Sequence, residues 1–213
     1  VIFFDEFQEI AKIKKSSNLE GAIRTAAQEM QNISIIFSGS IRSLLISMFD
    51  DEGRPLYKLC RKLKLNRIHA DAYKKHINKV AVEIWGRELD EAVFTEIMAL
   101  SNRHPYYVNY LCDVILEEHQ NMPTINQVKK AWTIVVQEEW SDILKEISIL
   151  SLSQRKVLKF IATQDVNTIL SHETCVRLAL PSSTISSALD TLIEKDYIEL
   201  DDTKHYRVIN PLI

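Results

Sequence analysis

Two successive carboxylates, Asp5 and Glu6, close an unbroken apolar run over residues 1–4. Four apolar residues without alternation describe a strand buried on both faces, which makes a rigid base for whatever follows it. Hydrolytic phosphoryl transfer needs one carboxylate near a magnesium ion and a second placed to polarise the attacking water. Asp5 suits the first role, holding Mg2+ through water. Glu6 suits the second, as general base or as the group that orients the water. Taken alone, the pattern is equally that of a strand followed by an exposed acidic turn. A second apolar run, 33–37, ends in Ser38-Gly39-Ser40. Open α/β sheets hold their ligands at the carboxyl ends of parallel strands. There Ser38 or Ser40 would lie beside the acidic pair, within reach of a γ-phosphate or the water. A serine here could also cap the helix that begins at Ile41, and both roles can hold at once.

The elements that must position these groups follow from periodicity. Between the two apolar runs, residues 19–31 carry Leu19, Ile23, Ala26, Ala27 and Met30 on one helical face, so the segment reads as strand, helix, parallel strand. A helix over 41–49, a turn-rich loop over 50–55 and a short strand or extended segment at Leu63, Leu65 and Ile68 come next. Four helices without strands are expected over 70–85, 90–102, 105–119 and 124–147. Pro105 fits the first turn of the third, and Thr124 with Gln127 forms a capping box on the fourth. The last third changes again: helices over 153–163 (Val157, Leu158 and Ile161 inward), 171–180 and 182–195, then strands over 197–200 and 206–209 flanking residues 201–204. Three helices and a hairpin are the winged-helix arrangement. The expected architecture is a remnant of a parallel α/β core (1–69), an α-helical lid (70–150) and a winged helix (151–213), mostly helical overall.

The 213 residues contain 46% hydrophobic and 26% charged side chains, with a net charge of −3. Those values fit a folded chain and offer no global basic excess for nucleic acid or an anionic membrane surface. Cys60, Cys112 and Cys175 are odd in number and widely spaced. They suggest neither a zinc site nor a disulfide framework, and point to a reducing, cytoplasmic setting. No apolar run approaches a membrane span, so no membrane partner is expected. The chain opens inside a strand and closes at Asn210–Ile213 without a tail, and is read as a portion of a longer protein. His172 beside Glu173, and His69 near Asp71, lack a third metal ligand and read as surface or capping groups. Trp85, Trp132 and Trp140 read as packing residues.

Two regions invite nucleic-acid or phosphate contact. Residues 54–79 hold nine basic side chains against one acidic, a solvated face or a phosphate-contacting one. In the expected recognition helix, Ser183, Thr184 and Ser187 could touch DNA. That helix has no arginine, and residues 151–213 carry seven basic against eight acidic side chains, a weak basis for neutralising a DNA backbone.

Several segments together resemble a known family, over nearly the whole chain and in order. Phe3-Phe4-Asp5-Glu6-Phe7-Gln8-Glu9 resembles the Walker B segment of the archaeal-type prokaryotic ATPases, relatives of the AAA+ and STAND P-loop NTPases. Phe37-Ser38-Gly39-Ser40 resembles the family's sensor 1, and Pro55-Leu56-Tyr57 its PLY segment. His104-Pro105-Tyr106-Tyr107 with Tyr110-Leu111-Cys112 is similar to its lid helix. The resemblance implies that Asp5 and Glu6 are the metal and water carboxylates and that Ser38 or Ser40 is the sensor. By the same resemblance Arg103, His104 and Pro105 approach the nucleotide from the lid, with Arg103 standing where the family has glycine. Arg54 and Arg61 flank the PLY segment as candidate nucleotide-sensing arginines. ATP and Mg2+ are the implied ligands, with self-association or a protein partner alongside.

No G-x-x-x-x-G-K-[ST] occurs in the 213 residues, which contain four glycines, so no loop here can cradle phosphates through backbone N–H groups. The expectation is an ATP-driven switch or motor subunit with a winged-helix output, inactive in ATP hydrolysis without its phosphate-binding loop. The rival expectation is a winged-helix DNA-binding regulator with a secondary ATPase site.

Overall fold

A computed structural model describes residues 1–30, 32–63, 65–164, 168–200 and 205–213. In chain order its elements are β1 (Ile2–Phe4), a 3-10 segment (Phe7–Lys12), α1 (Ser16–Glu29), β2 (Ile35–Phe37), α2 (Arg42–Asp50), α3 (Ala70–Trp85), α4 (Glu91–Leu100), α5 (Pro105–Glu118), α6 (Ile125–Ser148), α7 (Leu152–Thr163), α8 (His172–Leu178), α9 (Ser182–Glu194), β3 (Ile198–Leu200) and β4 (Tyr206–Val208). Helix accounts for 61% of the structure. The chain divides into two compact units, Val1–Lys64 with Asp165–Arg207, and Leu65–Gln164 with Val208–Ile213.

In the first unit β1 and β2 pair in parallel, with Ile2 opposite Ile35 and Phe4 opposite Phe37. The crossover between them is α1, as the sequence pattern requires. Below the pair lies a small aromatic core: Phe7, Met48, Phe49 and Leu56 are buried, with Phe4, Ile23 and Phe37 packed against them. Phe37 lies at the centre of this cluster, 4.4 Å from Phe7 and 5.2 Å from Phe49 between ring centroids. Offset and tilted contacts of this kind suit aromatic quadrupoles.

The face of α1 differs from the one the sequence suggested. Leu19 and Met30 are exposed, while Glu20 is 1% exposed. Its carboxylate is turned inward by Arg54, which donates through Nε at 3.3 Å and through Nη2. From the other side, Arg24 of α1 donates to the carbonyls of Pro55 (2.6 Å) and Tyr57 (3.0 Å). The two arginines clamp the 54–58 turn onto α1, and Leu56 fills the space beneath it.

The end of α9 meets the start of α2 within the same unit. Ser43 Oγ donates to the Glu194 carbonyl (2.6 Å). Arg42 donates its backbone N–H to Asp196 (3.0 Å) and its guanidinium to Glu199 (2.5 Å). The buried face of α9 consists of Ile185, Ala188, Leu189 and Leu192.

The second unit is built on α3 to α6, whose core includes Val93, Ile97, Val108, Leu111, Val128 and Val135. The capping box at Thr124 and Gln127 is formed, and α7 opens on a second one at Ser151 and Gln154. Val157, Leu158 and Ile161 are buried. Trp85 and Trp132 pack against the helical core, but Trp140 is 53% exposed and so is not a packing residue of this unit. Residues 61–63 and 65–69 form no strand. Leu63 and Leu65 are both exposed there, and no described strand pairs with that segment. β3 and β4 form a second two-stranded sheet, and residues 201–204, expected as the loop between them, lie outside the described residues.

Candidate active site

At the carboxyl end of β1 the chain turns abruptly. Glu6 has φ 48°, the left-handed region, which a non-glycine residue adopts at a cost of about 1–3 kcal/mol and mostly where surrounding structure enforces it. The enforcement is visible on both sides. The Phe7 N–H donates to the Ser38 carbonyl (2.9 Å), and the Ser38 N–H donates to the Phe4 carbonyl (2.9 Å). The ladder therefore continues past both strands, and Phe7 is drawn into the core. The turn leaves the Asp5 and Glu6 side chains at the open edge.

Ser38 and Ser40 meet them there, in a pairwise arrangement. Ser38 Oγ donates to Asp5 Oδ1 (2.5 Å), which also accepts the Glu6 N–H (3.0 Å). Ser40 donates to Glu6 Oε2 through its hydroxyl (2.7 Å) and its backbone N–H (3.3 Å). Gln8 Nε2 donates to the same oxygen. The serines make the carboxylate contacts and not the cap: the N-cap of α2 is Ile41, whose apolar side chain can make no capping hydrogen bond. Hydrogen bonds from the Ser40 hydroxyl, then Gln8, then the Ser40 N–H hold the Glu6 carboxyl below the usual carboxylate range. Glu6 is thus ionised near neutral pH and able to accept from a water.

A magnesium ion held through water fits this donor set. Mg2+ keeps several waters and takes one or two carboxylates together with substrate phosphates, not an all-protein cage. Asp5 is exposed, and only its Oδ1 is engaged by described residues. No cluster of three or more His, Cys, Asp or Glu side chains is placed to hold a metal among the described residues. His69 lies 3.4 Å from Asp71 as an exposed pair.

The arginines expected to sense nucleotide have structural partners or open surroundings. Arg54 is held by Glu20, and Arg61 is exposed. Of the other cations in 54–79, Lys62 pairs with Asp50, Lys74 with Glu91, and Arg67 donates to the Ile209 carbonyl.

Arg103, His104 and Pro105 belong to the second unit, where His104 is the N-cap and Pro105 the first residue of α5. Asn102 and Arg103 have φ of 47° and 52°. A backbone that glycine enters freely is thus occupied here by arginine. His104 packs on Tyr107 at 5.1 Å. Tyr107 and Leu111 enter the helical core, whereas Tyr106 and Tyr110 donate to Glu139 and Glu138 of α6. The Tyr110 hydroxyl is pushed up to about 12 by that bond. On α9, Ser183 and Ser187 are exposed and Thr184 is half-buried.

Sequence reasoning missed Gln8, the Glu20–Arg54 pair and the Arg42 contacts to Asp196 and Glu199. Only Gln8 carried a signal, its position two residues after the candidate base.

A parallel strand pair with a helical crossover, acidic groups at the carboxyl end of the first strand and serines at that of the second fit a P-loop NTPase-like fold. The same fold is found in the Walker-type ATPase PABY2304 of Pyrococcus abyssi: TM-score 0.74 and 19% identity, covering 99% of this chain and 60% of that one. This chain therefore spans less than two thirds of that protein's length. A mutant RuvB of Thermotoga maritima also matches, at TM-score 0.42 and 17% identity, over 97% of this chain and 66% of that one. No family model matches the sequence, and no curated protein does. Among the described residues, no helix is long and apolar enough to cross a membrane.

Proposed function

We propose that the chain is the Walker B to winged-helix portion of an archaeal-type ATPase, a STAND-related P-loop NTPase that hydrolyses ATP when its phosphate-binding loop is supplied by further sequence. The observation that carries this reading is the pairing of each carboxylate with its own serine, Asp5 with Ser38 and Glu6 with Ser40, at the ends of two adjacent parallel strands. The fold shared with a Walker-type ATPase, of which the chain spans 60%, supports it. So do the uncovered apolar residues of the strand pair, with Val1 89% and Phe3 59% exposed.

In this reading Asp5 would hold a Mg2+ through its water shell, and the ion would supply charge neutralisation for the phosphates when bound. Ser38 fixes the Asp5 rotamer. Glu6, ionised and anchored by one oxygen, presents the other to the attacking water, orients it and accepts its proton as the water oxygen bonds to the γ-phosphorus and the bond from that phosphorus to the bridging oxygen breaks, releasing ADP. Ser40 spans the Glu6 carboxylate and the start of α2, so it is the residue through which occupancy of the site would be felt elsewhere. By the family resemblance residues 70–150 would serve as the lid, carrying Arg103, His104 and Pro105 as its candidate nucleotide residues. The elements of 151–213 act as a winged-helix output.

The DNA-binding alternative draws less support. Ser183 and Ser187 are available on α9, but the helix Ser182–Glu194 contains no lysine or arginine, and affinity for a phosphate backbone depends on cations.

The test is single-turnover ATP hydrolysis by the protein extended upstream through its phosphate-binding loop, beside Glu6→Gln. The expected result is hydrolysis by the first and retained ATP binding without cleavage by the second. Hydrolysis unaffected by Glu6→Gln, or no nucleotide binding by either, would overturn the assignment.

A further inference from the structure

Gln8 is 1% exposed, and its amide touches the candidate base directly. A carboxylate can only accept hydrogen bonds, so the contact with Glu6 Oε2 fixes the amide with Nε2 toward Glu6 and Oε1 away from it. Gln8 Oε1 is then buried with no donor among the described residues and lies against Gly39. A methyl group placed on Gly39 would come to 3.0 Å from Gln8 Cδ and nearer still to Oε1. An unpaired buried amide oxygen is costly, and such a cost persists in native structures where the group serves a site. The other half of the arrangement is the Glu6 carboxylate itself. Three donors, the Ser40 hydroxyl, the Ser40 N–H and the Gln8 amide, converge on Oε2. Oε1 accepts from no described residue.

We propose that Gln8 is a positioning residue for ATP hydrolysis: it anchors Glu6 Oε2 from the buried side so that Oε1 alone faces the attacking water, and Gly39 is glycine because the Gln8 amide occupies the space a side chain would need. The inference rests on the reading of Glu6 as the water-polarising group. A glutamate side chain turns about three torsions, and Ser40 alone holds it from one direction. With Gln8 added, the carboxylate is gripped from two sides, as preorganised catalysis requires. Ser38-Gly39-Ser40 then acts as a unit: its serines hold the two carboxylates and its glycine admits the amide that holds one of them.

Two measurements test this. In the full-length protein, Gln8→Met fills the same space without a donor. The expected result is a fall in kcat on the order of ten- to a hundred-fold, with KM and ATP affinity within about twofold, since Gln8 touches no nucleotide. Unchanged kcat, or weakened ATP binding that accounts for the whole loss, overturns the proposal. In this chain without nucleotide, the side-chain amide resonances of Gln8 are followed by 15N–1H correlation. They should shift on Glu6→Ala and remain in place on Asp5→Ala; a Gln8 amide indifferent to Glu6→Ala overturns the anchor even if Gln8→Met fails to fold. If the amide responds but the full-length wild type cleaves no ATP, the hydrolytic reading of the site falls, and the role of Gln8 in hydrolysis falls with it. A responding amide with an active wild type and an unaffected Gln8→Met overturns the role alone.

Discussion

Removing the Arg54 guanidinium should release the hold of α1 on the turn that follows α2. Glu20 is 1% exposed and Arg54 21% exposed as side chains, so the pair sits close to the buried limit, and its two ends are not equivalent. Arg54→Ala leaves an uncompensated carboxylate inside the first unit, a change that costs about 3–5 kcal/mol. Replacing both partners, as in Glu20→Met with Arg54→Met, removes the charge as well as its partner and is expected to cost far less. A domain is stabilised by only about 5–15 kcal/mol in total, so the single substitution is a large fraction of it. Amide exchange along α1 is the appropriate assay, because the lost contact lies on that helix. The opening free energy of its central amides should fall by roughly the stated amount in Arg54→Ala and recover most of it in the double variant. If exchange along α1 is unchanged while ATP hydrolysis by the full-length protein collapses, Arg54 acts on nucleotide and does not hold α1 to the turn.

Three further outcomes follow from other residues. Arg103→Gly should leave the second unit as stable or more stable by up to about 1 kcal/mol, because glycine enters the left-handed region without the cost arginine bears; a loss beyond that, by thermal denaturation, would show that the Arg103 side chain holds the structure. Burial pushes the Asp196 carboxyl up, against the opposing pull of the Arg42 N–H and charge. Its raised folded value means stability present below the ordinary aspartate range and lost as pH rises through the raised value, so the Tm of Asp196→Asn should gain on that of wild type as pH is raised across this window, and a constant difference would refute it. Burial also pushes the Cys112 thiol up to about 12, so alkylation of Cys112 at neutral pH should follow unfolding and lag behind that of Cys60 and Cys175, as peptide mass spectrometry would show.

What could be read in the residues depended on whether the cause was local. The adjacency of Asp5, Glu6, Ser38 and Ser40 was legible because a strand–helix–strand pattern dictates parallel pairing, and parallel pairing dictates a shared edge. The start of α6 was legible because a capping box is complete within four residues. Which oxygen each serine would take was not, nor that neither hydroxyl caps α2, since the helix begins two residues beyond Ser40. Glu20 illustrates the opposite case: on helical periodicity it belongs outside, and only a guanidinium 34 positions away brings it in. Leu63 and Leu65 alternate as a strand or an extended segment would, and alternation alone cannot tell the two apart, because a strand exists only where a neighbour offers a ladder. Gln8 sat in plain view beside Glu6, but its burial against Gly39 joins residues 31 positions apart, a fact of tertiary packing.

The strand pair has a practical consequence at the bench. Three residues on each strand, one neighbour apiece among the described residues, and Ile2, Phe3 and Ile36 open to solvent make a template on which another polypeptide can deposit, since free ladder groups and apolar side chains are presented together. Concentrated stocks of the isolated chain would therefore tend toward haze and gel before the helices lose any structure. Charged substitutions at Phe3 and Ile36 offer the direct route to a tractable sample, and they leave Phe4 and Phe37, which support the carboxylates, untouched.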